Sequence, residues 1–212
     1  MADLPRQLTA PPHAAAHLLQ YHDLIESIVS ALDARDTYTA SHSNRVADMV
    51  LVLAAALGLD PDETALIHIA AHLHDIGKIA VPDAVLRKTG PLTADEWQEM
   101  RRHPVTGYNI LRRVADFQDI AVLVLHHHER WDGRGYPDGL SGDQIPISAQ
   151  VVAMADVYDA LVSKRVYKDA YAPDVAVQMI LHGDCGAFNP LLLDCLTDLQ
   201  DTFKAELAAP EE

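Results

Sequence analysis

The chain is short of cysteine, of basic residues and of long apolar runs. Two cysteines, Cys185 and Cys195, among 212 residues exclude a disulfide-stapled scaffold, and a reduced, intracellular setting is expected. Only 16 Lys and Arg stand against 31 Asp and Glu, a formal net charge of −15. Such a surface excludes a nucleic-acid polymer as partner, because phosphate backbones need basic stripes. A small anion can still bind where metals and a few cations concentrate positive charge. No apolar stretch is long enough to span a bilayer, so no membrane partner is expected. The opening Met-Ala-Asp-Leu-Pro-Arg-Gln has no signal-peptide core, and a cytoplasmic location is expected. No internal repeat and no strand or hairpin pattern is present, so the fold is expected to be all-α. The length suits one domain with a sizeable core.

Residues 1–13, with adjacent Pro11 and Pro12, carry little pattern and are expected to be a linker-like lead-in. A helix is expected over 14–35, with Leu18, Tyr21, Ile25, Ile28 and Leu32 at a/d spacing. Two heptads serve equally for a helix packed on its own domain and for a dimerising or signal-relay helix, so a homodimer stays open. The next helix, over 40–58, ends near Gly58. Asp60-Pro61-Asp62-Glu63 supplies an N-cap, a proline at the first helical position and Glu at the third. That helix delivers His74-Asp75 near its end. Thr93–Glu96 is a second capping box, and a further helix begins at His103-Pro104. A helix over 119–128 carries the triplet His126, His127 and His128. A loop rich in Gly, Pro and Asp spans 132–146. A Ser148-capped helix over 149–163 follows, then helices from Pro173 and Pro190.

With 12 histidines, a lone His-Asp pair is weak evidence of a metal site, since adjacent helical residues point about 100° apart. Gly77 and Lys78 let the chain turn and bring an ammonium to the same place. Asp156 lies on a helix apolar nearly all round, on a small-residue stripe with Ala149, Ala153 and Ala160. A carboxylate there needs a partner or a metal. Asp159 is close beside it.

Five separated stretches then occur in order. They are His42 ahead of Arg45-Val46, His74-Asp75-Ile-Gly77-Lys78, His103-Pro104, the run His127-His128-Glu129 with Asp132-Gly-Arg-Gly-Tyr-Pro137, and Asp156-Val-Tyr-Asp-Ala-Leu161. Together, over about 36–190, they resemble the HD-GYP family of cyclic dinucleotide phosphodiesterases. The resemblance implies an HD-superfamily helical bundle with an added C-terminal helical GYP portion, and a catalytic domain over 36–208. It implies a binuclear divalent metal centre, iron first and manganese second, held by His42, His74, Asp75, His103, His127, His128 and Asp156, with Asp75 bridging. It gives Asp75 and Lys78 catalytic roles, and assigns the substrate phosphates to Lys78, Arg165 and Lys168. The implied reaction is hydrolysis of cyclic di-GMP to linear pGpG by metal-activated water, with onward cleavage to GMP left open. A phosphodiesterase for 3′,3′ cyclic GMP-AMP, and a catalytically weak sensing or cyclase-docking module, are the alternatives. A dNTP or (p)ppGpp hydrolase of the wider superfamily is disfavoured by the GYP loop. That loop, Gly135, Tyr136 and Pro137, either shapes the cleft or contacts a diguanylate cyclase domain.

Where some members carry a Glu that helps hold a third metal, this chain has Tyr38; Asp36 lies at the wrong spacing, so two metals are expected. Gln150, Val162 and Asn189 also depart from the family pattern. His126 is set aside by its spacing from the loop. His68 and His72, four apart, have zinc-ligand spacing but no general-base Glu between them, and a polar helix face is preferred. His13, His22 and His182 have no ligand context. Asp159 is a candidate to protonate the leaving 3′-oxygen.

Overall fold

The computed structural model describes residues 21–35, 41–164 and 169–199. Among them every regular element is helical. In chain order these are α1 (His22–Asp33), α2 (His42–Ala56), α3 (Pro61–Leu73), α4 (Asp83–Leu86), α5 (Ala94–Met100), α6 (His103–Leu111), α7 (Gln118–His126), α8 (Ile147–Val162), α9 (Pro173–Leu181) and α10 (Pro190–Asp198), with short 3-10 turns at Ile76–Ala80, Ala115–Phe117 and Gly142–Gln144.

Local chemistry sets most of these boundaries. The Asp60 carboxylate accepts the Glu63 backbone N–H at 2.9 Å and starts α3. Thr93 and Glu96 form a reciprocal capping box ahead of α5. Asn189 accepts the Leu191 N–H at 3.0 Å, and Pro190 takes the first turn of α10. Ser148, expected as a cap, lies inside the first turn of α8 and donates instead to Glu63 Oε1 at 2.8 Å. Pro146 starts that helix without a side-chain cap, so the expected start falls two residues late.

α3 is the central strut, packed against α1, α2, α7 and α8. Ile67, Ile69, Ala70 and Ala71 on it are sealed from solvent, as are Val151 and Met154 on α8. A helix apolar nearly all round is stable only when enclosed, and each fully buried Ile contributes about 1.5–3 kcal/mol. On α1 the buried stripe is Ile25, Val29 and Leu32, while Ile28, grouped with them by spacing, faces out. The helical period of 3.6 carries Val29 inward in its place. The lead-in 1–13, the first turns of the 14–35 helix, the last residues of the 36–208 unit, and His13, Asp36, Tyr38, Arg165 and Lys168 lie outside the described residues. Among the described residues no helix is long and apolar enough to cross a membrane.

Candidate metal centre

The seven expected ligands come from α2, the end of α3, the start of α6, the end of α7, and α8, and they meet in one place. His42 Nε2 lies 3.3 Å from Asp156 Oδ1. His74 Nε2 lies 3.3 Å from Asp75 Oδ2 and 4.0 Å from Asp156 Oδ1. His103 Nε2 lies 3.4 Å from Asp75 Oδ1 and 3.3 Å from His127 Nε2. The His128 ring centroid is 4.0 Å from that of His127 and 5.0 Å from that of His103. Asp75 therefore stands between a His42–His74–Asp156 group and a His103–His127–His128 group.

The outer nitrogens decide what the inner ones are. His74 Nδ1 meets Ala71 O at 2.7 Å, His103 Nδ1 meets Met100 O at 2.8 Å and His127 Nδ1 meets Val124 O at 2.7 Å. A carbonyl only accepts, so each Nδ1 carries a proton. Burial pushes the His103 and His127 pKa values down and leaves their Nε2 atoms with a lone pair, whereas burial of His74 is outweighed by Asp75 and Asp156, which raise its pKa. His103 and His127 thus aim two bare nitrogens at each other inside the protein. His74 Nε2 is buried with no hydrogen-bond partner. Such an arrangement is repulsive unless a cation lies among the nitrogens. Imidazoles tied outward to carbonyls or carboxylates are what metal sites use to fix the ligand tautomer. The side chains present therefore fit divalent metals.

His42 is tied differently. Its Nδ1 meets Asp159 Oδ2 at 2.6 Å, and Arg45 grips the same carboxylate through Nε at 2.6 Å and Nη2 at 3.1 Å. Burial would lower the His42 pKa, but Asp156 and Asp159 outweigh it and hold it up to about 9. Burial would raise Asp159, and His42 and Arg45 overcome that and keep it below its ordinary value. A carboxylate held ionised on both oxygens is a poor acid, so Asp159 positions His42 rather than protonating a leaving group. Burial would likewise raise Asp75, yet Lys78 and His74 hold it well below the carboxylate range. Burial brings His103 down to about 4.

Lys78 reaches Asp75 Oδ2 at 2.6 Å, because the 3-10 turn after Asp75 doubles the chain back. Gly77 lets the start of α6 pack directly on that turn: a Cβ there would overlap His103 O and Gly107 N. Gly135 is required in the same way, since a Cβ would overlap the backbone of His128, Glu129 and Arg130. The GYP loop is thereby pressed onto the end of α7, with the Tyr136 N–H donating to His128 O at 3.2 Å and the Tyr136 ring 4.8 Å from that of His128.

Glu129 carried no expected role. It is buried, and its carboxylate accepts the N–H groups of Asp138 (2.7 Å), Gly139 (3.1 Å) and Leu140 (3.0 Å). Arg45 was equally unforeseen. The signal for each was position alone: Glu129 follows the twin histidines, and Arg45 lies one turn after His42.

The ligands open onto a cleft of about 520 Å³, walled by Arg45, Lys78, Trp97, Met100, Tyr136 and Lys164 among others. The family model for the HD domain matches residues 23–185. The chain belongs to the HD domain family, in its HD-GYP branch. It is 43% identical over 176 residues to the cyclic di-GMP phosphodiesterase response regulator RpfG of Xanthomonas campestris pv. campestris, covering 82% of this chain and 47% of that protein. It is 40% identical over 185 residues to the 3′3′-cGAMP-specific phosphodiesterase 2 of Vibrio cholerae, covering 86% of this chain and 35% of that protein. The HD-GYP chain thus spans less than half the length of either relative. Its fold matches the crystal structure of a cyclic GMP-AMP specific phosphodiesterase of V. cholerae (V-cGAP3) with a TM-score of 0.68 at 20% identity, over 88% of this chain and 50% of that one. The HD-superfamily bundle and its all-α class are as expected.

Proposed function

We propose that this HD-GYP chain is a metal-dependent phosphodiesterase that hydrolyses cyclic di-GMP to linear pGpG. The observation that carries the reading is the convergence of buried imidazole nitrogens on Asp75 and Asp156. His42, His74, Asp75, His103, His127, His128 and Asp156 would hold two divalent metals, with Asp75 shared. Mixed imidazole and carboxylate donors suit iron, the first choice, and manganese. Bound there, such metals supply Lewis acidity to phosphate oxygens and make water a stronger nucleophile.

The chain's own residues do the rest. Lys78, anchored by Asp75, holds an ammonium at the cleft wall to offset charge on nonbridging oxygens. Arg165 and Lys168 extend that phosphate contact, as the resemblance implies. Trp97, Leu92 and Met100 give the cleft an apolar wall on which a purine can lie. Burial raises the Tyr136 pKa, helped by Asp156 and Asp75, so its phenol stays protonated and serves as a donor. Of the proposed 36–208 catalytic domain the described residues are 41–164 and 169–199, with α1 ahead of them, and the proposed setting is the cytoplasm. The names of the two curated relatives support the class of substrate and make 3′,3′ cyclic GMP-AMP the second reading. The GYP loop, exposed at Asp138 and Gly139, is the surface for a diguanylate cyclase domain, and α1, with Leu24 and Ile28 exposed, is the surface for a homodimer.

The test is anaerobic turnover by Fe(II)- or Mn(II)-loaded protein, resolved by nucleotide chromatography. Cyclic di-GMP should give pGpG, and Asp75→Ala should lose metal and activity together. Arg165→Ala should keep its metal and turn over more slowly. Activity retained in Asp75→Ala would overturn the centre. Metal bound without turnover of either cyclic dinucleotide would turn the reading to a sensing module.

A further inference from the structure

A second group of imidazoles lies on α3, away from the central cleft. His68 and His72 bring their Nε2 atoms to 3.3 Å. His68 Nδ1 faces Ala47 O of α2 at 3.3 Å, which makes that nitrogen the donor and leaves Nε2 bare. His22, at the start of α1, closes the group. Its ring lies parallel to that of His68 with centroids 5.6 Å apart, and edge-on to His72 at 5.2 Å. One ring nitrogen from each of the three lies within 4.8 Å of the others. His72 is 4% exposed, and its Nδ1 has no hydrogen-bond partner. His72 and His74, two residues apart at a helix end, turn to different faces, so this group and the central one are separate.

The His68–His72 spacing is that of two ligands in one coordination shell. A tetrahedral ion with metal–nitrogen bonds of about 2.0–2.1 Å separates its nitrogens by about 3.3–3.4 Å, the distance observed between His68 and His72. We propose that His22, His68 and His72 form a second metal site that takes a divalent transition ion of the zinc class. Glu26 Oε1 lies 4.0 Å from His22 Nδ1, beside the three imidazoles and not among them. Three imidazoles select zinc-like ions over magnesium or calcium, which prefer all-oxygen shells. The His22 side chain is 28% exposed, and ions enter past it.

The site joins the first turn of α1 to α3, the helix that ends at His74-Asp75. The far end of α1 is already fastened: Arg35 donates to Val81 O at 2.7 Å and to Asp83 Oδ1 at 3.0 Å. An ion at His22 therefore completes a clamp holding α1 along the element that carries the central pair.

The full chain is equilibrated with zinc, desalted, and its metal counted per chain by elemental mass spectrometry, with circular dichroism as the control for folding. His22→Ala and His68→Gln should each hold one zinc fewer than the unaltered protein. Adding His22→Ala to Asp156→Ala should remove one further equivalent, which separates this site from the central one. Zinc should also raise the melting temperature of the unaltered chain more than that of His22→Ala. Equal zinc content in the unaltered chain, His22→Ala and His68→Gln would overturn the site and leave a hydrogen-bonded histidine pair. Should His68→Gln fail to fold, the partly exposed His22 still decides.

Discussion

Replacing Glu129 tests whether the GYP loop is held from beneath. Its carboxylate is the acceptor for three consecutive backbone donors, Asp138, Gly139 and Leu140, and the side chain is sealed from solvent. A hydrogen bond to a charged group contributes about 1.5–3 kcal/mol. The three do not add fully, because residues 138 and 139 lie exposed and water replaces part of what they lose. Glu129→Ala should therefore cost about 3 kcal/mol, and Glu129→Gln about 1–2 kcal/mol, since the amide keeps one oxygen but turns a donor towards at least one N–H. For a chain of this size 3 kcal/mol lowers the melting temperature by roughly 6–12 °C. Urea unfolding of the chelator-treated protein, followed by circular dichroism, measures it without interference from bound metal. Because Tyr136 stands between this loop and His128, turnover should fall in Glu129→Gln while the metal content holds. A urea midpoint within error of the unaltered protein in Glu129→Ala would refute the account of how the loop is held.

What the sequence disclosed were the parts governed by neighbours along the chain. Asp60, Pro61 and Glu63 announce α3, and Thr93 with Glu96 announces α5, because caps are made within one turn. The seven central residues were found through motif order, not physics: His42 and Asp156 lie on different helices, and no local rule states that they meet. Most of the misses are long-range pairings. Ser148 looked like a cap because its actual partner, Glu63, lies 85 residues away. Arg45 and Asp159 are 114 residues apart, so the grip that fixes His42 had no local signature. Ile28 was grouped with the inward residues because it lies three after Ile25, whereas the helix turns Val29, four after Ile25, to the core. His22 was passed over because an isolated histidine has no context until α1 is laid against α3.

Asp159→Asn keeps the shape but leaves one oxygen to serve both His42 and Arg45. Metal affinity, measured by chelator competition, should fall about 10–100-fold, and unchanged affinity would remove Asp159 from its positioning role. The pH dependence of the metal-free protein follows from the same geometry. His103 is held at about 4 by burial, whereas the unfolded chain takes up that proton near 6.5. The stabilisation is therefore full above pH 6.5 and is lost as pH falls from 6.5 towards 4, by up to about 3 kcal/mol. His42 works in the opposite sense. Held up to about 9 by Asp156 and Asp159 against its burial, it stabilises fully below pH 6.5 and loses that contribution as pH rises through 9, again by up to about 3 kcal/mol. Asp75 and Asp159, both held low, reinforce only the acid limb. Urea midpoints of the chelated protein should therefore peak near neutral pH and fall on both sides. His74, raised by Asp75 and Asp156 against its burial, shares the alkaline limb, so His42→Gln should make that limb shallower and leave the acid limb in place. An alkaline limb of undiminished depth in His42→Gln would mean that the proton held between Asp156 and Asp159 does not limit stability.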